Sequence, residues 1–89
     1  MASYSLAIKK SAARELETVP GKKDRQRIVD RIQHLAENPR PPGMEKLSGT
    51  ADKYRVRQGD YRIVYELDKK AGTVLIVKVG HRKDVYRRR

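Results

Sequence analysis

The chain has 89 residues, with 22 Lys+Arg against 11 Asp+Glu, a net charge of +11 and no cysteine. This length fits a single domain spanning 1–89, and the lack of cysteine excludes a disulfide framework, a thiolate nucleophile and a thiolate metal site. It also leans toward a reducing, cytoplasmic setting, and no apolar run approaches the roughly 20 residues of a membrane span.

The first segment, "SYSLAI" (3–8), reads as a short strand with Tyr4, Leu6 and Ile8 on one face. Ser11 is a plausible N-cap for a helix running to about Val19, with Ala12, Leu16 and Val19 at helical spacing, until Pro20-Gly21 stops it. A second helix is predicted from about Lys22 or Asp24 to Glu37, with Ile28, Ile32 and Leu35 as its apolar stripe. The short linker favours an antiparallel helical hairpin. "NPRPPGMEKLSG" (38–49) reads as a connector, because Pro39, Pro41 and Pro42 remove backbone donors and fix φ.

Three strands follow, at about 53–58, 61–67 and 73–79, joined by Gly59-Asp60 and "DKKAG". The order β-α-α-β-β-β implies an α+β fold: a small antiparallel-rich sheet with the helical hairpin on one face and the other face open. A two-residue Gly59-Asp60 turn, of type II′ since Gly comes first, sets the register of the hairpin. Gln58 then faces Tyr61, Arg57 faces Arg62, Val56 faces Ile63, Arg55 faces Val64 and Tyr54 faces Tyr65. Tyr54, Val56, Ile63 and Tyr65 share the core side; Arg55, Arg57, Arg62 and Val64 share the other.

Opposing Arg57 to Arg62 costs on the order of a few tenths to 1 kcal/mol of local stability. Such a choice often marks function, and guanidinium forks suit phosphate oxygens. Solvated stems, or pairing with Glu66 or Asp60, is the plainer alternative. The charge is also uneven. Residues 1–52 carry 10 basic and 7 acidic residues, net +3, whereas residues 53–89 carry 12 and 4, net +8. A basic half of this kind points to a polyanion, nucleic acid ahead of a membrane surface. "VGHRKDVYRRR" adds His81, Arg82, Lys83 and Tyr86 after the last strand. A titratable imidazole, a phenol and clustered arginines suffice in principle for phosphodiester cleavage of RNA, which supplies its own 2′-OH nucleophile. Two histidines and scattered acids give no zinc spacing, and no Walker or Rossmann glycine pattern is present, so neither metal nor cofactor is expected.

"KLSGTADKYRVRQGDYRIVYEL" followed by "VLIVKVGHRKDVYRR" resembles the RelE branch of the RelE/ParE toxin superfamily, the toxin half of toxin–antitoxin pairs. The resemblance runs over nearly the whole chain. It implies a RelE-like fold and a metal-free mRNA interferase that enters the ribosomal A site of the 30S subunit. Such a toxin cuts the exposed codon, leaving a 2′,3′-cyclic phosphate and a 5′-hydroxyl. It implies as partner an acidic or amphipathic RelB-like antitoxin, with operator DNA bound only by the pair, and no membrane.

By position, Arg55 and Arg57 stand where the family places basic residues, commonly lysines. Arg62 matches the arginine of the "DYR" element, Arg82 the arginine after the "VGH" step, and Tyr86 the near-terminal tyrosine. Arginine at position 55 is a poor general base, since a guanidinium holds its proton too tightly. Arg55 and Arg57 are therefore expected to bind phosphate and Arg62 to clamp the scissile one. Arg82 would stabilise the transition state, and His81 or Tyr86 would move the proton or stack on a base. Lys53, Lys83, Arg87, Lys23 and Arg27 are the cations expected to hold RNA around them. Two alternatives stand beside this reading: a non-catalytic inhibitor of DNA gyrase, as ParE relatives are, and an inactive nucleic-acid-binding relative.

Overall fold

The sheet is laid down from its two ends. In the computed structural model, which describes residues 4–47 and 52–81, β1 (Ser5–Ile8) is followed by α1 (Lys10–Glu17) and α2 (Lys22–Glu37). The chain then returns through β2 (Glu45–Lys46), β3 (Lys53–Gln58), β4 (Tyr61–Asp68) and β5 (Thr73–His81). The strand order is β1-β5-β4-β3-β2, with β1 parallel to β5 and every other pair antiparallel. The fold is thus α+β, two helices on a five-stranded mixed sheet. The hairpin register is the expected one at every position from Gln58↔Tyr61 to Tyr54↔Tyr65. Gly59 has φ +62 while Asp60 does not enter positive φ, which agrees with a type II′ turn.

No heavy atom lies within 4 Å of where a Gly59 side chain would begin. A Gly59→Ala substitution should therefore cost about 1 kcal/mol through backbone strain alone, without a clash. Urea unfolding would measure it, and an unchanged midpoint would mean the turn relaxes into another type.

One buried cluster holds the sheet and helices together. Ala12 and Val19 of the α1 segment and Ile28, Ile32 and Leu35 of α2 meet Tyr54, Val56, Ile63, Tyr65, Leu67, Val74, Ile76 and Val79. Each fully buried aliphatic contributes about 1.5–3 kcal/mol. The helical spacing of the first set and the alternation of the second bring both onto one interface. Leu6 and Ile8 are less covered than their alternation suggests, at 38% and 39% exposure, because β1 is an edge strand. Tyr4 packs against the cluster.

Three expectations about the elements are corrected. Ser11 is not the cap of α1. That place belongs to Lys9, extended at φ −64, ψ 149, whose N–H is given to the Ile76 carbonyl while its own carbonyl accepts from Ala13. Pairing to the sheet sets the helix start, overriding the better capping side chain. The proline-rich connector also contains a strand: β2, two residues long, pairs Glu45 with Arg55 and Lys46 with Tyr54. Edge position makes the nearby prolines tolerable. The last two strands run slightly longer, to Asp68 and His81.

The face away from the helices is not uniformly open. Arg62 and Val64 are each only 7% exposed. Both lie on the middle strand of the sheet, with register neighbours on either side: Arg57 and Gly80 for Arg62, Arg55 and Lys78 for Val64. A strand on either side leaves these central positions less open to solvent than the edges.

A bulge in the β4–β5 pairing takes the register from Tyr65↔Ile76 to Val64↔Lys78, so that Val77 is the extra residue on β5. Beyond β1's last pair, Ile8↔Ile76, the free edge of β5 is closed by α1. The Glu15 carboxylate accepts from the Val79 N–H at 2.9 Å and from Lys78 Nζ at 2.8 Å. That supplies the partner an unpaired strand edge needs. No helix among the described residues is long and apolar enough to cross a membrane.

Candidate phosphate-binding face

The cations that alternation put on one face do converge. Arg55 and Arg57 project from β3 and Arg62 from β4. Together with Gly43, Glu45 and Val56 they line a cavity of about 120 Å³. Arg57 and Arg62 are directly paired in the register. Arg62 is buried, Arg57 exposed and Arg55 partly covered, so the cavity grades from a covered guanidinium to an exposed one. Guanidiniums from two paired strands around one small space suit an oxyanion, the buried one being preorganised for it.

The residue that sequence reasoning missed is Glu45. It faces Arg55 across the β2–β3 pair, and the Arg55 guanidinium donates to its carboxylate. That bond, then the charge of Arg55, and more weakly those of Arg62 and Arg57, hold the carboxyl below the ordinary carboxylate range. The available signal was the stretch Met44-Glu45-Lys46-Leu47, which alternates like a strand just after Gly43.

The remaining expected residues are placed apart. Lys53 shares the face but sits at the other end of β3, 3.6 Å from Glu66. Lys23 and Arg27 are exposed on α2, and α2 packs on the opposite side of the sheet. His81 is brought to the end of β5 but not into the cavity. It pairs with Tyr61, and their rings meet edge-on at a centroid distance of 5.4 Å. Tyr61 is one residue from Arg62 on an extended strand, so Tyr61 and His81 belong to the helix-facing side and Arg62 to the other. The bulge at Val77 produces this phase. Arg82, Lys83, Tyr86 and Arg87 lie outside the described residues.

Residues 6–86 match the family model described as "ParE toxin of type II toxin-antitoxin system, parDE". Among curated proteins, the chain is 31% identical over 84 residues to Toxin RelE of Mycobacterium tuberculosis, covering 94% of this chain and 87% of that one. It is 43% identical to Toxin RelG of the same organism over 47 residues, 53% of this chain and about half, 51%, of that relative's length. Among solved structures, the archaeal RelE–RelB complex from Pyrococcus horikoshii superposes with a TM-score of 0.79 at 31% identity. That match covers 91% of this chain and 97% of the other.

Proposed function

The chain belongs to the RelE/ParE superfamily of type II toxin–antitoxin toxins, on its RelE side, and from that membership we propose that it is a ribosome-dependent endoribonuclease acting in the cytoplasm. The observation that carries this reading is the cavity of Arg55, Arg57 and Arg62 on the sheet face away from the helices. Three guanidiniums around one small space suit a phosphodiester that gains negative charge as it reacts.

The chemistry is an in-line attack of the RNA 2′-oxygen on the adjacent phosphorus. A 2′-O–P bond forms, the 2′-hydroxyl proton leaves, the P–O5′ bond breaks, and O5′ takes up a proton. The products are a 2′,3′-cyclic phosphate and a 5′-hydroxyl. Arg62, fixed by burial, clamps the scissile phosphate; Arg57 and Arg55 stabilise its developing charge. Guanidiniums suit charge stabilisation rather than proton removal, so the proton transfer is assigned to Tyr86, His81 standing with Tyr61 on the helix-facing side. Arg82 stabilises the charge on the leaving side. Lys53, Lys23, Arg27, Lys83 and Arg87 provide the wider electrostatic hold on ribosomal and messenger RNA.

An acidic RelB-like antitoxin is the proposed protein partner. The similarity to a RelE solved with RelB supports it, as does a net charge of +11 that an acidic segment would complement. Operator DNA would be bound only through that antitoxin.

Purified protein added to programmed ribosomes with a vacant A site should cut the exposed codon, with little cutting of free RNA. No cleavage at stoichiometric protein would defeat the proposal. The family description that matches is the ParE one, which favours inhibition of DNA gyrase as the second reading. A supercoiling assay separates the two, since loss of supercoiling without RNA cleavage would support the second.

A further inference from the structure

The arginine cavity already holds an anion of its own. Glu45 sits opposite Arg55 in the register, and its carboxylate accepts a hydrogen bond from the Arg55 guanidinium. Its side chain is 63% exposed, whereas Arg62 is 7% exposed. The carboxylate therefore stands at the solvent edge of a cavity whose inner wall is cationic. A carboxylate and a phosphodiester offer a guanidinium fork the same pair of oxygens, so the two compete for one donor set.

We propose that Glu45 is a built-in competitor at this site: a resident carboxylate that an incoming phosphodiester must displace from Arg55. The proposal rests on the phosphate-binding reading given above. In the free protein Glu45 offsets the mutual repulsion of three neighbouring cations and holds Arg55 in place beside Arg57 and Arg62. A small anion that reaches Arg55 alone exchanges one oxygen acceptor for another and gains little. An RNA strand whose phosphates reach Arg57 and Arg62 as well adds further guanidinium contacts to the one at Arg55. Release needs only a side-chain rotation, because Glu45 is on a two-residue edge strand and its side chain is already in solvent.

The test measures binding of the full-length chain to a 2′-O-methyl RNA oligonucleotide, which it cannot cleave, and to inorganic phosphate. Glu45→Gln keeps the size of the side chain and removes the charge. It should tighten oligonucleotide binding about fivefold, the scale of a half-exposed ion pair, and tighten phosphate binding as well. Glu66→Gln removes the same charge from the same face, where Glu66 pairs with Lys53, and should leave affinity almost unchanged. In an Arg55→Ala background the gain from Glu45→Gln should vanish.

Equal tightening by Glu45→Gln and Glu66→Gln would overturn the proposal in favour of a general charge effect. Unchanged or weaker binding by Glu45→Gln, with Arg62→Ala still weakening it, would overturn the role of Glu45 while leaving the phosphate site intact. If alanine at Arg55, Arg57 and Arg62 each leaves affinity unchanged, the phosphate site itself fails and this inference fails with it.

Discussion

Arg62→Ala should lower the rate of mRNA cleavage on ribosomes by about 100-fold or more while changing the free energy of unfolding by no more than about 1 kcal/mol. The size of the first effect follows from preorganisation. Arg62 is held on the middle strand between Arg57 and Gly80 at 7% exposure, so its guanidinium pays little ordering entropy when a phosphate arrives. Removing one such fixed donor from a developing oxyanion typically costs about 10²–10³ in rate.

The small second effect is a near-cancellation. Truncation loses the packing of the arginine stem but relieves the opposed Arg57–Arg62 pair. Arg62→Lys keeps the charge without the fork and should fall between the two, with the loss mainly in kcat. The dependence of log Kd on log salt should also flatten by about 0.7 in Arg62→Ala, as expected for one lost contact to a single-stranded phosphate. Single-turnover cleavage and urea unfolding on the same preparations decide the matter. A variant that cuts near the wild-type rate, or loses activity only as far as it unfolds, removes Arg62 from the chemistry.

How far this site could be read in advance depended on what constrains each strand locally. The β3–β4 hairpin was legible because a two-residue turn at Gly59-Asp60 leaves one register, and the register alone sorts Arg55, Arg57 and Arg62 onto one face. The side on which His81 falls was not legible. "TVLIVKV" is apolar at both parities up to Lys78, so no alternation marks where a bulge interrupts the count. One extra residue at Val77 moves every later side chain to the other face.

β2 was hidden for a different reason. Two paired residues carry too little pattern to outweigh three prolines, and its partner Arg55 lies ten residues away along the chain. The grouping of His81 with the arginines was the consequence of the first gap, and the omission of Glu45 the consequence of the second. The placement of β1 beside β5 likewise depends on a long crossover through both helices, which no local signal records.

Tyr65→Ala should be among the most destabilising single changes, about 3–5 kcal/mol. The residue is fully buried in the middle of the sheet, stacked on Tyr54 at a centroid distance of 5.8 Å. Its hydroxyl donates to the Pro39 carbonyl at 2.6 Å, tying β4 to the start of the connector that later forms β2. Tyr65→Phe separates the two contributions. It keeps the ring and should cost only about 1–2 kcal/mol, the scale of one partly buried hydrogen bond whose acceptor is left unmet.

The pH dependence gives a second, independent reading. Burial foremost, with the neighbouring Tyr54 adding to it, pushes the Tyr65 phenol up to about 12. In the unfolded chain it titrates near 10. A folded value above the unfolded one means the native state holds the proton more tightly, so this contribution is complete below about pH 10 and is lost as pH rises toward 12. Wild type should therefore lose stability more steeply than Tyr65→Phe between those limits, and the two curves should converge at the alkaline end. Parallel curves across that window would mean the phenol is not held as the Pro39 contact requires. Because the arginine cavity lies on the other face of the sheet, Tyr65→Phe should leave RNA affinity close to wild type at neutral pH. A large loss of affinity would instead mean that the anchor at Pro39 governs where the connector delivers Gly43 and Glu45.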